Sequence, residues 1–308
     1  MGPGMQGGTP LLAVPNFSAG PAGPSGSGAD AVGAIGGALG GRAAILDLHT
    51  DADHNRCVFT LAASPAGLGG ALEAGAAAAI AAIDLREHAG AHPRIGALDV
   101  SPIVYTDPAL AAPARALALA VGERLAALGL PVFLYGELAA SEERRERHFF
   151  RADGFEGLSA RMVAGELTAD LGPPQPHPSA GAVLVTARAP LAAFNIELEG
   201  VDLAAGREIA AALRESGGGL AGVRALAIEL GDGTVQISTN VHDPVAMPLA
   251  AVVAETERLA AASAGRAVAA ELVGLIPEAA LIGYPEHVPI RDFDPGQRTV
   301  EARLAAGG

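Results

Sequence analysis

Residues 223–241 read VRALAIELGDGTVQISTNV. Two runs rich in β-branched and aliphatic residues, 223–230 and 234–241, flank Gly231-Asp232-Gly233, a strong β-hairpin signal. The second run alternates cleanly. Val235, Ile237, Thr239 and Val241 point one way, and Gln236, Ser238 and Asn240 the other. A hairpin with one apolar face needs helices to cover it, and the flanking sequence supplies them. FNIEL (194–198) reads as a strand, 202–215 as a helix, and Pro248 opens a helix to about 263. AAELVGL (269–275) closes the set as a strand. Strand, helix, strand, strand, helix, strand is the ferredoxin-like split-βαβ order.

The first half repeats this rhythm. LLAV (11–14), AAILDLHT (43–50), RCVFTLAA (56–63) and LDVSPIVYT (98–106) read as strands. A glycine-weakened helix at 29–39 and an Ala-rich helix at 67–85 lie between them. A long helix at 107–128, a strand PVFLYGE (131–137) and a charged helical stretch at 141–151 follow. The Pro-rich GPPQPHPSAG (172–181) then marks a boundary, and AVLVTAR (182–188) reads as the next strand. The expectation is α/β (α+β), with two ferredoxin-like βαββαβ subdomains whose mixed sheets carry helices on one face. Residues 1–10 have nothing to pack and are expected to be disordered. Residues 11–180 form the N-terminal subdomain and 181–305 the C-terminal one. The polar face of QISTN has two readings: a solvated sheet face, or the lining of a cleft between two sheets.

Composition narrows the function. The 308 residues are half apolar, enough for two cores, but only 4% aromatic, so small aliphatic side chains must fill them. All 20 basic residues are arginine, and the formal net charge is −14. Such a chain repels polyphosphate, which argues against a general nucleic-acid or anionic-membrane binder. One cysteine, Cys57, rules out an internal disulfide framework and fits a reducing compartment. The most apolar window, 70–83, is too short to span a bilayer. The reading is a soluble cytoplasmic protein.

Phosphate-binding loops, GxSxG elbows and HExxH pairs are missing from the sequence. HTDADH (49–54) gathers two His and two Asp, which reads either as a metal site or as a polar turn between two strands. His92-Pro93-Arg94 is the stronger candidate. Pro93 favours an extended His92, an imidazole titrates near neutrality, and Arg94 offers a fixed cation. The structural alternative has His92 ending a helix and Arg94 pairing with Asp99.

Eight blocks carry a resemblance: VPNFSAG (14–20), ILDLHTDADHNRCVFTLA (45–62), HPRIGALDVSPIV (92–104), LPVFLYGE (130–137), GFEGL (154–158), GAVLVTARAPLAAFNIEL (181–198), VQISTNVHD (235–243) and ELVGLIPEAAL (271–281). Together and in this order they resemble the glutamate formimidoyltransferase family. The resemblance implies two α/β subdomains whose sheets face each other across a folate-binding cleft, and a homodimer. It also implies transfer of a formimidoyl group between N-formimidoyl-L-glutamate and N5 of tetrahydrofolate, in histidine degradation and one-carbon metabolism. The co-substrate implied is tetrahydrofolate, in simple or polyglutamylated form, and no metal is implied. The family's catalytic histidine falls on His92. Its folate-binding stretch falls on Gly172, Pro173, Pro174, Gln175, Pro176, His177, Pro178, Ser179, Ala180 and Gly181, whose glycines would bring backbone N–H groups close to the ligand. Arg56, Arg94, Arg188, Asn55 and Asn240 lie in matched blocks and are candidate anion or substrate contacts, with structural ion pairs the alternative for the arginines. Asp47, Asp99 and Glu137 are further polar members. Ala19 stands where the family has a glutamate. Two related readings stay open: formyl transfer from 5-formyltetrahydrofolate to glutamate, and folate binding with little catalysis.

Overall fold

A computed structural model describes residues 10–21, 27–51, 55–88, 94–231 and 233–307. Expectations for residues 1–9, for Asp53 and His54 of HTDADH, for His92 and Pro93, and for Asp232 lie outside the described residues. The chain divides into two compact units, with the division between Arg188 and Ala189.

In the first unit the order is β1 (Leu11–Ala13), β2 (Asn16–Phe17), α1 (Ser27–Gly40), β3 (Ala44–Asp51), β4 (Arg56–Ala63), α2 (Pro65–Ala82) and β5 (Leu98–Val104). Pro15 splits the first strand into β1 and β2, because proline cannot donate to the ladder; both halves still pair antiparallel with β4 and β5. Among the described residues the strands lie β3, β4, β1/β2, β5, the ferredoxin-like order. α3 (Ala111–Ala127), β6 (Val132–Leu134), α4 (Arg147–Arg151), α5 (Gly154–Val163) and β7 (Val183–Arg188) complete the unit.

β7 corrects the expected boundary. Placed by sequence in the second subdomain, it pairs in parallel with both β5 and β6 and extends the first sheet. The Pro-rich stretch is therefore a loop within the first unit. A parallel partner requires a long crossover, and residues 105–182 provide it, including α5, which the sequence reading passed over.

α2 starts where Ser64 caps it, its Oγ accepting from the Gly67 N–H at 3.3 Å, with Pro65 in the first turn. Its 18 residues exceed the expected apolar window and by length and composition alone meet the membrane-crossing criterion. They are spent otherwise: Leu68, Ala71, Leu72, Ala76 and Ala79 are fully buried in a core shared with α1 and α3.

The second unit is β8 (Leu191–Glu199), α6 (Leu203–Leu213), β9 (Val223–Glu229), β10 (Val235–His242), α7 (Leu249–Ala260) and β11 (Arg266–Val273). Among the described residues its sheet runs β11, β8, β10, β9, antiparallel throughout. The expected hairpin is present: Gly233 N–H donates to Leu230 O, and Leu230 N–H to Thr234 O, both at 2.9 Å. The alternation holds too. Val235, Ile237, Thr239 and Val241 are buried with Phe194, Ile209, Leu213 and Val252 on the helical side. On the other face Gln236 lies opposite Glu197, and Ser238 opposite Asn195. That face is not simply solvated: Glu197 and Gln236 are each only 6% exposed. Arg291 grips the Glu197 carboxylate through two hydrogen bonds of 2.9 and 2.5 Å. Asn195 Nδ2 donates to Glu271 Oε2 at 3.0 Å.

Candidate active site

Three stretches far apart in sequence meet in the first unit. Asn16, Phe17 and Ser18 at the end of β2, Asn55 and Arg56 at the start of β4, and Arg94 and Asp99 around the start of β5 line a small open hollow. Local chemistry fixes each wall. Asn55 takes a left-handed conformation, φ +47°, which asparagine tolerates better than most residues. Its Oδ1 then accepts from Gly20 N–H at 2.9 Å, and its backbone oxygen meets His88 Nε2 at 3.0 Å. Ser18 Oγ donates to Gly96 O at 2.7 Å. Asp99 turns back along the chain to accept from Ile95 N–H at 2.7 Å, and its other oxygen pairs with Arg151. Arg94 donates to His88 O. The expected Arg94–Asp99 ion pair is thus replaced by Arg151–Asp99, with side chains 11% and 5% exposed.

The hollow is cationic inside an acidic protein. Burial pulls the Arg56 guanidinium below its ordinary pKa, partly opposed by Asp51 and reinforced by Arg151 and Arg147. Burial likewise lowers Arg147, which feels Tyr135, Arg151 and Asp99. Arg188 is brought down to about 10 by burial, with Tyr135 opposing and Arg147 adding to the shift. His88 is lowered by burial and then by Arg94. The Nε–H groups of Arg56, Arg94 and Arg151 are all buried without a hydrogen-bond partner. Of these, Arg56 and Arg94 bring their guanidiniums to the wall of the hollow, and Arg151 reaches it only through Asp99.

The sequence candidates fall in several places. Arg56, Arg94 and Asn55 line the hollow; His92 lies outside the described residues. Arg188 ends β7 and is linked electrostatically to Arg147. Asn240 belongs to the second unit, on β10, in register with Ala193 and Arg224. Glu137 holds an outer pair, accepting from Tyr105 Oη at 2.6 Å and Arg115 Nε at 3.0 Å. Ala19 is 4% exposed, packed in the apolar core.

Gly172–Gly181 does not line the hollow. Its second half is a turn whose polar groups satisfy one another: His177 N–H donates to Gly181 O, Gly181 N–H to His177 O, and Ala180 N–H to His177 Nδ1, at 2.9–3.0 Å. These N–H groups are thus not available in the way the glycine argument expected. Gly181, at φ +70°, instead permits a backbone crossing: a Cβ there would lie 2.1 Å from Ile95 O. At its partner Gly96 a Cβ would likewise lie 1.9 Å from Ala182 O. The turn thereby braces the segment between Arg94 and β5.

Sequence reading missed Ser18, His88, Arg147 and Arg151. For the last two a signal existed. RHFFR (147–151) sets arginines at i and i+4, one face of a helical turn.

Such a fold, with arginines on the wall of its hollow, defines an α/β protein with a cationic site. Residues 11–188 match the model of the formiminotransferase domain, N-terminal subdomain, and residues 193–291 that of the formiminotransferase domain. The chain belongs to the formiminotransferase family, a family of transferases. It is 33% identical over 264 residues to the glutamate formimidoyltransferase of Streptococcus pyogenes serotype M1, covering 84% of this chain and 88% of that protein. The glutamate formimidoyltransferase of Thermoplasma acidophilum is 36% identical over 258 residues, 82% and 84% of the two chains. The formimidoyltransferase-cyclodeaminase of Gallus gallus is 37% identical over 284 residues, 89% of this chain and 51% of that one.

Proposed function

We propose that this protein is a glutamate formimidoyltransferase, moving a formimidoyl group between N-formimidoyl-L-glutamate and tetrahydrofolate. Family membership gives the reaction class. The single observation that carries the substrate class is the pair of arginines, Arg56 and Arg94, that line the hollow. Carboxylates, which both substrates carry, are the natural ligands of such groups.

Tetrahydrofolate supplies the accepting amine, N5. Transfer between two amines requires one proton lost by the attacking nitrogen and one gained by the leaving nitrogen. An imidazole near neutrality can take the first and give the second, and His92, in the family's HPR motif, is assigned that role. Arg94, two residues on, and Arg56 hold substrate carboxylate, and Ser18 and Asn55 fix the loops that carry them. Arg188 and Asn240 remain proposed substrate contacts. The homodimer, the cytoplasmic location and a polyglutamylated folate belong to the same proposal, the dimer being open to sedimentation analysis.

The test is to incubate the protein with tetrahydrofolate and N-formimidoyl-L-glutamate and follow 5-formimidoyltetrahydrofolate. Turnover is expected, with His92→Ala losing it by orders of magnitude while tetrahydrofolate affinity stays within a few-fold. Binding without turnover in the unsubstituted protein would overturn the reading in favour of a folate-binding protein. Turnover only with formyl donors would favour formyl transfer.

A further inference from the structure

Two hydrogen bonds join His88 to two walls of the hollow. Its imidazole Nε2 lies 3.0 Å from the backbone oxygen of Asn55. A carbonyl oxygen only accepts, so Nε2 carries the hydrogen and donates. Nδ1 is buried without a hydrogen-bond partner, so the ring holds its neighbours through Nε2. From the other wall the Arg94 guanidinium donates to the His88 backbone oxygen. Among the described residues that is the only hydrogen bond the Arg94 side chain makes.

Both contacts end on the arginines of the wall. Asn55 directly precedes Arg56 and stands at φ +47°, its Oδ1 accepting from Gly20 N–H at 2.9 Å. The chain passes close there: a Cβ on Gly20 would lie 2.6 Å from Asp51 O and 2.9 Å from Arg56 N. The His88 Nε2–H holds the remaining polar group of this crossing, the Asn55 oxygen, and so fixes where Arg56 leaves the backbone. His88 does not itself line the hollow. It is anchored behind it, its N–H donating to Leu85 O at 3.4 Å, while the buried Leu85 donates its own N–H to Ser179 O at 2.8 Å. A buried acceptor with no donor is unfavourable. An aliphatic side chain would fill this place without leaving Nδ1 unpaired, so packing alone does not account for an imidazole; the Nε2 contact does.

We propose that His88 is a positioning residue for substrate binding: its ring sets Asn55 and with it Arg56, its backbone oxygen sets Arg94, and the two guanidiniums are thereby held ready for one carboxylate. His88 lies outside every sequence block that carried the family resemblance. The inference deepens the proposed function and rests on it for the identity of the carboxylate. His88 acts as a neutral donor, not as a proton carrier, and touches no substrate. Loosening it costs binding equally in ground state and transition state, which raises KM and leaves kcat nearly unchanged.

The experiment compares His88→Leu, which fills the space but cannot donate, with His88→Gln, whose amide N–H can reach the same oxygen. Steady-state kinetics with both substrates varied are paired with calorimetric titration of glutarate, a dicarboxylate probe that needs no turnover. Loss of one well-placed hydrogen bond is worth roughly a tenfold change in affinity. His88→Leu is expected to raise one KM and the glutarate Kd by about that factor, with kcat within a few-fold and Gln restoring most of the loss. Unchanged KM and Kd, a loss confined to kcat, or a Gln variant no better than Leu overturns the proposal. A second measurement uses the unsubstituted protein. Nitrogen-15 NMR of the imidazole rings, with His88 assigned by its absence in His88→Gln, is expected to show the Nε2–H tautomer and a shift on adding glutarate. An Nδ1–H tautomer, which cannot donate to Asn55, overturns the proposal, as does a ring signal indifferent to glutarate. If the unsubstituted protein binds glutarate but transfers no formimidoyl group, the proposed reaction fails, and the Kd values alone decide the role of His88.

Discussion

Asp99 ties three parts of the first unit together. One oxygen closes the loop that leads from Arg94 into β5, the other holds α4 through Arg151, and the carboxylate helps line the hollow. Breaking a buried pair from one side leaves an uncompensated charge, which costs about 3–5 kcal/mol. Asp99→Asn is therefore expected to lower unfolding stability by roughly 3 kcal/mol in urea titration. Arg151→Met, which removes the opposing charge, is expected to offset part of that loss in the double variant. Asp99 was visible in sequence as a polar residue in an apolar run, but its partner was not. The expected partner, Arg94, lies five residues away; the actual one lies fifty-two away, on a helix whose place depends on how Phe150 packs.

At the level of elements, the loop before β7 shows what a family pattern carries and what it hides. Gly172–Gly181 matches a functional stretch, yet its turn is closed on itself and packed against Gly96. Gly181→Ala places a Cβ on Ile95 O in a left-handed conformation, costing at least ~2 kcal/mol. Thermal unfolding is expected to show that loss. Because the crossing braces the segment after Arg94, catalytic turnover should fall as well, more than after an Ala substitution at exposed Gly165. Element type was readable along most of the chain because strand and helix periods are local properties. β7 itself was recognised as a strand. Its sheet was not, since pairing with β5 spans some eighty residues and leaves no local mark.

For the molecule as a whole, pH couples to stability through one half-buried histidine. His88 titrates below the ordinary imidazole value in the folded chain because burial, and then Arg94, disfavour its charged form. The unfolded chain binds a proton there near pH 6.5, so between the folded and unfolded values it holds more protons than the native state. Stability must rise with pH across that window. The contribution is complete above the unfolded value and disappears as pH falls through the folded one. Carboxylates with lowered values, such as Asp84 at about 2, titrate well below this range. Denaturation midpoints from about pH 7.5 to about pH 5 are expected to fall more steeply for the unsubstituted protein than for His88→Gln. Parallel curves would remove His88 as the coupling group.

The sequence by itself determined the two βαββαβ repeats, the hairpin at 231–233, the alternation of β10 and, through its motif blocks, the family. Each of these is written in local period or in contiguous residues. Tertiary structure decided that β7 belongs to the first sheet and that Asp99 pairs with Arg151. Those outcomes depend on contacts between residues tens of positions apart, fixed by packing around Phe150 and the Gly96–Gly181 crossing, and no local pattern encodes such convergence.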